Sequence, residues 1–208
     1  MTELAALTNQ QIRLAARPNG LPTREGWSFT TEPVIGPDEG GVVVKTLALS
    51  LDPAMRGWMS EGKSYIAPVG IGEVMRAGGI GEVIASKNPA FVVGDTVNCT
   101  PGTQECCLIP GDKIKSNGLF KIDARLRTHT QWLTVLGMLG MTGYFGLMDV
   151  VRPRPGETVV VSGAAGAVGQ LAKIKGCRVV GIAGGPEKCA WVVKELGFDA
   201  SLHRLQGR

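Results

Sequence analysis

The stretch that most constrains this chain is Glu157 to Gly169, ETVVVSGAAGAVG. A β-branched run, Val159-Val160-Val161, leads into a glycine-rich turn from Gly163 to Gly169. Branched side chains suit a pleated strand. The turn opens a helix-like segment, Ala167 to Lys175. Strand, glycine turn and helix in that order form the local context of a dinucleotide fingerprint. A pyrophosphate needs backbone N–H groups at close range and a helix N-terminus facing it, and side chains at the approach would block that contact. Gly166 and Gly169 sit three apart, with Ala164 where the first glycine of G-x-G-x-x-G usually lies. The alternative is a tight strand-to-helix turn with no ligand.

The pattern continues downstream. Gly176 is placed to end the helix, as a glycine just past a helix C-terminus does. Cys177 to Ala183 is a second apolar strand, Glu187 to Leu196 a second helix closed by Gly197, and Phe198 to Leu202 the start of a third strand. This β-α-β-α-β order is the first half of a doubly wound fold. The end of the second strand reads Gly184-Gly185-Pro186-Glu187-Lys188. NAD sites usually place Asp or Glu there for the ribose hydroxyls. Glu187 follows a proline and belongs to the first turn of the next helix, where it suits the helix dipole. The two glycines leave room for a 2′-phosphate and Lys188 can supply its charge, which favours NADP(H) over NAD(H). The alternative for Lys188 is a solvated surface lysine.

Residues 1 to about 125 read differently, as short strands separated by turns. Gly41 to Ser50, Gly81 to Ala85 and Thr96 to Cys99 are strand-like, with turn signals at Gly36-Pro37, Gly78-Gly79, Asn88-Pro89, Gly94-Asp95 and Pro101-Gly102. Such a run favours a small barrel or sandwich. The pentapeptide GIGEV occurs at 70–74 and again at 79–83, too few copies for a repeat architecture. The segment Gln131 to Met141 reads as helical, and the expected organisation is a β domain over 1–125 and an α/β domain over 126–208.

Charge and cysteine usage narrow the function classes. The formal charge is +4, with no Lys/Arg cluster interleaved with aromatics, so a nucleic-acid surface is not expected. The five cysteines include no CxxC, and the two histidines, His129 and His203, lie at no ligand spacing from a cysteine. Disulfides and a structural zinc are therefore not expected, and a reducing, cytoplasmic setting is. The N-terminus has no apolar h-region. Thr130 to Met148 carries no formal charge and has glycines at 137, 140, 143 and 146. It is borderline in length for a membrane span and reads instead as a buried, tightly packed segment at a domain junction.

The chain resembles the prostaglandin/alkenal reductases, the zinc-independent medium-chain dehydrogenase/reductases, and especially their bacterial curcumin-reductase branch. The resemblance rests on Arg13 to Pro22, LSLDPAMRG at 49–57, Phe91 to Val97, Leu136 to Tyr144, AAGAVG at 164–169, KGCRVVG at 175–181 and Leu196 to Asp199. It implies a GroES-like barrel followed by an incomplete Rossmann half, with NADPH-dependent reduction of the carbon–carbon double bond of enones and enals. By position it assigns the pyrophosphate to Gly166, Ala167, Val168 and Gly169, the neighbourhood of the 2′-phosphate to Gly185 and Lys188, and the nicotinamide side to Met138 and Thr142. Tyr65 matches a tyrosine of the substrate cleft. For Met138 and Tyr65, core packing and a surface aromatic are the alternatives. No catalytic residue is assigned. The expected partner is a small-molecule enone or enal, with a homodimer left open.

Several positions depart from the family pattern. Ala54 replaces a tyrosine in SLDPYMRG, Leu139 replaces a proline in the GMPG turn, and the helix after Gly169 is shorter by about one turn. Arg204 stands where relatives often have a tyrosine on the phosphate side. Six strands with their helices need roughly 130 residues, whereas 51 run from Thr158 to Arg208. A C-terminally truncated member is thus expected, with its first Rossmann strand left as an unpaired apolar edge. Two functions follow: an enone reductase, or a non-catalytic chain that binds NADP(H) in part or serves a structural role.

Overall fold

The structure, a computed structural model, describes residues 4–163 and 166–203. It divides into two compact units, Met1–Leu133 and Thr134–Arg208. Ala164 and Arg204, both singled out by sequence, lie outside the described residues.

The first unit is mostly antiparallel sheet. Strands β1 (Thr8–Leu14) and β2 (Trp27–Pro33) pair with each other. Strands β3 (Val42–Leu49), β4 (Gly79–Ser86), β5 (Thr96–Cys99), β6 (Cys106–Ile109) and β7 (Phe120–Lys121) form a five-stranded sheet in the order β6-β3-β4-β5-β7. Register irregularities in the β3–β4 pair, between Val43 and Val44 and between Thr46 and Ala48, bend the strands. Bending brings Val42, Val44, Val83, Val97, Cys99, Cys107 and Ile109 into one core with Phe91 and Leu119. Each fully buried valine there contributes about 1.5–3 kcal/mol. The short helices α1 (Ala54–Trp58), α2 (Ile114–Asn117) and α3 (His129–Leu133) complete the unit.

The second unit follows the β-α-β-α-β order read from the sequence. Helix α4 (Met138–Phe145) runs into a π-helical turn, Gly146–Val151, which ends at Arg152 in the left-handed conformation. Strand β8 (Thr158–Ser162), helix α5 (Ala167–Ile174), strand β9 (Arg178–Ala183), helix α6 (Pro186–Lys194) and strand β10 (Ala200–His203) follow. The three strands are parallel, in the order β10-β9-β8. Val161, Ala172, Cys177, Val179, Val192 and Phe198 meet Leu147 in the core between sheet and helices. Among the described residues β8 pairs only with β9, and Val160 is 59 % exposed at that edge.

Two expectations for the segment before β8 are corrected. The helix expected over Gln131 to Met141 is broken between α3 and α4. Gly137 adopts an extended conformation as the N-cap of α4, and the amides of Gly137 and Gly140 both donate to the Thr134 carbonyl. Nor is the segment buried. Gly140 and Gly143 are, but Met138, Leu139, Met141, Tyr144 and Phe145 are all about half exposed or more. The glycines form the contact stripe, Gly140 against the backbone of Val135 and Gly143 against Val168, while the large side chains stay largely exposed. Among the described residues no helix is long and apolar enough to cross a membrane.

Candidate functional site

The parallel register fixes where the two glycine turns lie. Ser162 stands opposite Ile182, and the amide of Gly163 donates to the Ile182 carbonyl at 3.0 Å. The turn after β8 and the Gly184-Gly185 turn after β9 therefore share the carboxyl edge of the sheet. That edge is where open α/β sheets place their ligands.

The α5 end of this edge is built from backbone. Gly166 is its N-cap and makes no side-chain cap. The amides of Ala167, Val168 and Gly169 open the helix and have no acceptor within it. Gly166 has φ −96° and ψ −177°, and a Cβ added there would meet nothing within 4 Å. Among the described residues, space and amides without an acceptor in the helix thus coincide at its positive end. Gly169 serves a different purpose. It is buried, and an added Cβ would run into the Phe198 ring, 2.8 Å from both Cε1 and Cε2. Its missing side chain lets the helix lie against the segment leading into β10.

The α6 end is built from a side chain. Gly185, with φ +101° and ψ 153°, is the N-cap, a conformation reserved for glycine, and it too offers no cap. Pro186 occupies the first helical position, where its lack of an N–H costs nothing. Glu187 is in the first turn, as its position after the proline suggested. Lys188 is exposed and has no ion-pair partner among the described residues.

Helix α4 joins the first of these ends. A Cβ at Gly143 would stand 3.3 Å from Val168 Cγ2 and 3.8 Å from Ala167 Cβ, so α4 packs on the first turn of α5. The Thr142 hydroxyl donates to the Met138 carbonyl at 2.7 Å, a helical i, i+4 bond. Thr142 is exposed and Met138 is 74 % exposed, so core packing does not account for Met138. A groove of ≈ 440 Å³ runs along the α4–α5 contact, lined by Leu136, Met141, Tyr144, Phe145, Leu171 and Ile174 among others.

Tyr65 belongs to the first unit, 89 % exposed on a loop. Two arginines from the matching stretches anchor that region. Arg17 donates to the carbonyls of Met59 and Val69 and pairs with Glu61 at 2.8 Å. Arg56 donates to the carbonyls of Pro18 and Gly20. The RPNG and MRG stretches are thus bound to each other, a role that residue type alone did not disclose.

Thiol chemistry is confined. Burial pushes the Cys99 thiol up to about 12 and the Cys107 thiol to about 11, so neither supplies a thiolate nucleophile near neutrality. Among the described residues no three His, Cys, Asp or Glu side chains converge to hold a metal ion.

The family described as the N-terminal domain of oxidoreductase matches residues 10–116. The chain is 43 % identical over 198 residues to the NADPH-dependent curcumin reductase of Escherichia coli, covering 93 % of this chain and 56 % of that protein. It is 36 % identical over 206 residues to the NADP(+)-dependent 2-alkenal reductase of Nicotiana tabacum, covering 95 % of this chain and 59 % of the other. The crystal structure of CurA from Vibrio vulnificus in complex with NADPH superimposes with a TM-score of 0.82 at 40 % identity, over 95 % of this chain and 58 % of that one. The chain therefore spans somewhat more than half the length of these relatives.

Proposed function

The chain belongs to the medium-chain dehydrogenase/reductase family of NADP-dependent oxidoreductases, and from that premise we propose that its second unit binds NADP(H) for the reduction of an activated carbon–carbon double bond. The observation that carries the reading is the shared carboxyl edge. There an open, uncapped helix start at Gly166–Gly169 lies beside a glycine-opened turn leading to Lys188, which has no ion-pair partner among the described residues. Both ends fit an anion, and among the described residues neither places a side chain in the way.

The roles divide by chemistry. The amides of Ala167, Val168 and Gly169 donate to the pyrophosphate, and the Lys188 ammonium pairs with the 2′-phosphate. Gly185 keeps the approach to that phosphate free of a side chain. The Thr142 proton is engaged by Met138, so Thr142 offers lone pairs, which suit a carboxamide N–H₂. Met138 presents an apolar surface beside it. When bound, NADPH supplies a hydride to the β-carbon of an α,β-unsaturated ketone or aldehyde. This class agrees with the curcumin and 2-alkenal reductases that the chain resembles. Tyr65 is the proposed substrate-side residue of the first unit. The finer reading of the fold is a GroES-like first unit followed by the opening half of a Rossmann sheet.

Two measurements separate the parts. Titration of the chain with NADPH tests the binding half: saturable binding is expected, and its absence refutes the reading. Steady oxidation of NADPH on addition of an α,β-unsaturated ketone, with the saturated ketone as product, tests the reductase half. Binding without turnover would restrict the chain to the non-catalytic role.

A further inference from the structure

Two consecutive residues outside the glycine turn grip the helix that opens it. Phe198 is 3 % exposed, and its ring covers Gly169 so closely that no Cβ fits between them. Asp199 follows at once. Its carboxylate accepts the Val179 amide at 2.6 Å and the Lys173 ammonium at 3.0 and 3.1 Å, while its own amide donates to the Val179 carbonyl at 2.9 Å. Gly169 and Lys173 are i and i+4, on one face of α5. Phe198 therefore touches the first turn of the helix and Asp199 its last, and the same Asp199 is fixed to the start of β9. Asp199 stands opposite Val179, at the amino-terminal edge of the sheet and away from both glycine turns.

We propose that Phe198 and Asp199 are positioning residues for NADP(H). Together they set the height and tilt of α5 on the sheet, so that the amides of Ala167 to Gly169 meet the pyrophosphate. The inference rests on the proposed cofactor site and adds to it a device that touches no ligand. An eight-residue helix is too short to be stable by itself, so its tertiary contacts hold it in place. Its register is set by what clamps it. Hydrogen-bond donors act at full strength only when their support holds them within about 0.5 Å of the productive position.

The test compares two ligands that read different ends of the site. NADP⁺ needs both the pyrophosphate amides and Lys188, whereas 2′-AMP needs Lys188 alone. Gly169→Ala forces a Cβ against Phe198 and is expected to weaken NADP⁺ by about tenfold or more, leaving 2′-AMP within about twofold. Adding Phe198→Leu removes Cζ and should restore most of the lost NADP⁺ affinity. Asp199→Asn keeps the acceptor for the Val179 amide but loses the charge facing Lys173, and should weaken NADP⁺ severalfold with 2′-AMP unchanged. Hydrogen exchange in Leu171 to Ile174 supplies a ligand-free readout: faster in Gly169→Ala, restored in the double variant. A double variant that binds no better than Gly169→Ala, or variants that weaken both ligands equally, would overturn the positioning role. A wild-type chain that binds 2′-AMP and NADP⁺ not at all would refute the cofactor reading itself, and this inference with it.

Discussion

The starts of α5 and α6 solve neighbouring problems by different means. Both helices begin at the same edge of the sheet, both have a glycine N-cap, and neither is capped by a side chain. The α5 start carries no formal charge: Ala167, Val168, Gly169, Gln170 and Leu171 offer only amides and a helix dipole. The α6 start carries Lys188, without an ion-pair partner among the described residues and close behind a glycine whose φ of +101° admits no other residue easily. A backbone cradle suits a group common to all dinucleotides, and a single cation suits the one phosphate that distinguishes NADP from NAD. The contrast predicts that damage at α5 costs affinity for every dinucleotide, while damage at α6 costs discrimination.

The largest effect is expected at Gly166. Its φ of −96° and ψ of −177° lie in extended backbone that any residue adopts, so Gly166→Val should fold normally. The added side chain would fill the open approach and weaken NADPH and NADH alike, by roughly 100-fold. Calorimetric titration with both cofactors checks this. Lys188→Ala is next. Loss of one charge-assisted pair should weaken NADPH by about 10- to 100-fold and leave NADH within about twofold. If both cofactors weakened together, the division between the two helix starts would be wrong.

Gly185→Ala is expected to act on stability first. A β-carbon at φ +101° costs about 1–3 kcal/mol, readable as a lowered urea midpoint. The smallest effect concerns Asp199. Its hydrogen bond from the Val179 amide, then its pairing with Lys173, hold the carboxyl below the usual carboxylate range. A depressed folded-state pKa contributes stability above the unfolded value of about 4, and this is lost as pH falls through the lower, folded value. Wild type and Asp199→Asn should therefore differ in urea midpoint at pH 7 and converge in acid. A gap of constant size down to low pH would show that the charge is not what matters.

The second unit was legible because its signals are local. A β-branched run, a glycine turn, Gly176 after α5 and Pro186 at the start of α6 each dictate conformation where they stand. The first unit was less so. Strands β1 and β2, TNQQIRL and WSFTTEP, are largely polar, and β1 bridges from Gln11 to Gln104 and from Arg13 to Val74 besides pairing with β2, so distant partners rather than apolar alternation define them. The two copies of GIGEV show the same limit. At 79–83 the pentapeptide lies in β4, with Gly81 seated against Val44 and Lys45. At 70–74 it is a turn, with Gly72 at φ +84° and Glu73 accepting the Gly70 amide at 2.8 Å. One sequence takes two conformations because partners distant in the chain decide. The candidate site divides the same way. The glycine turn and Lys188 could be read from spacing, but the Phe198–Gly169 contact and the Asp199 latch join residues about 20 to 30 positions apart and needed the fold.

The proposed site selects NADP(H) through this edge of the sheet. Parallel fluorescence titrations of the wild-type chain with NADPH and NADH test it most directly. The geometry predicts saturable NADPH binding at least about tenfold tighter than NADH, a margin set by one charge-assisted contact at Lys188. Equal affinity for the two cofactors, or no saturable binding of NADPH, would contradict it.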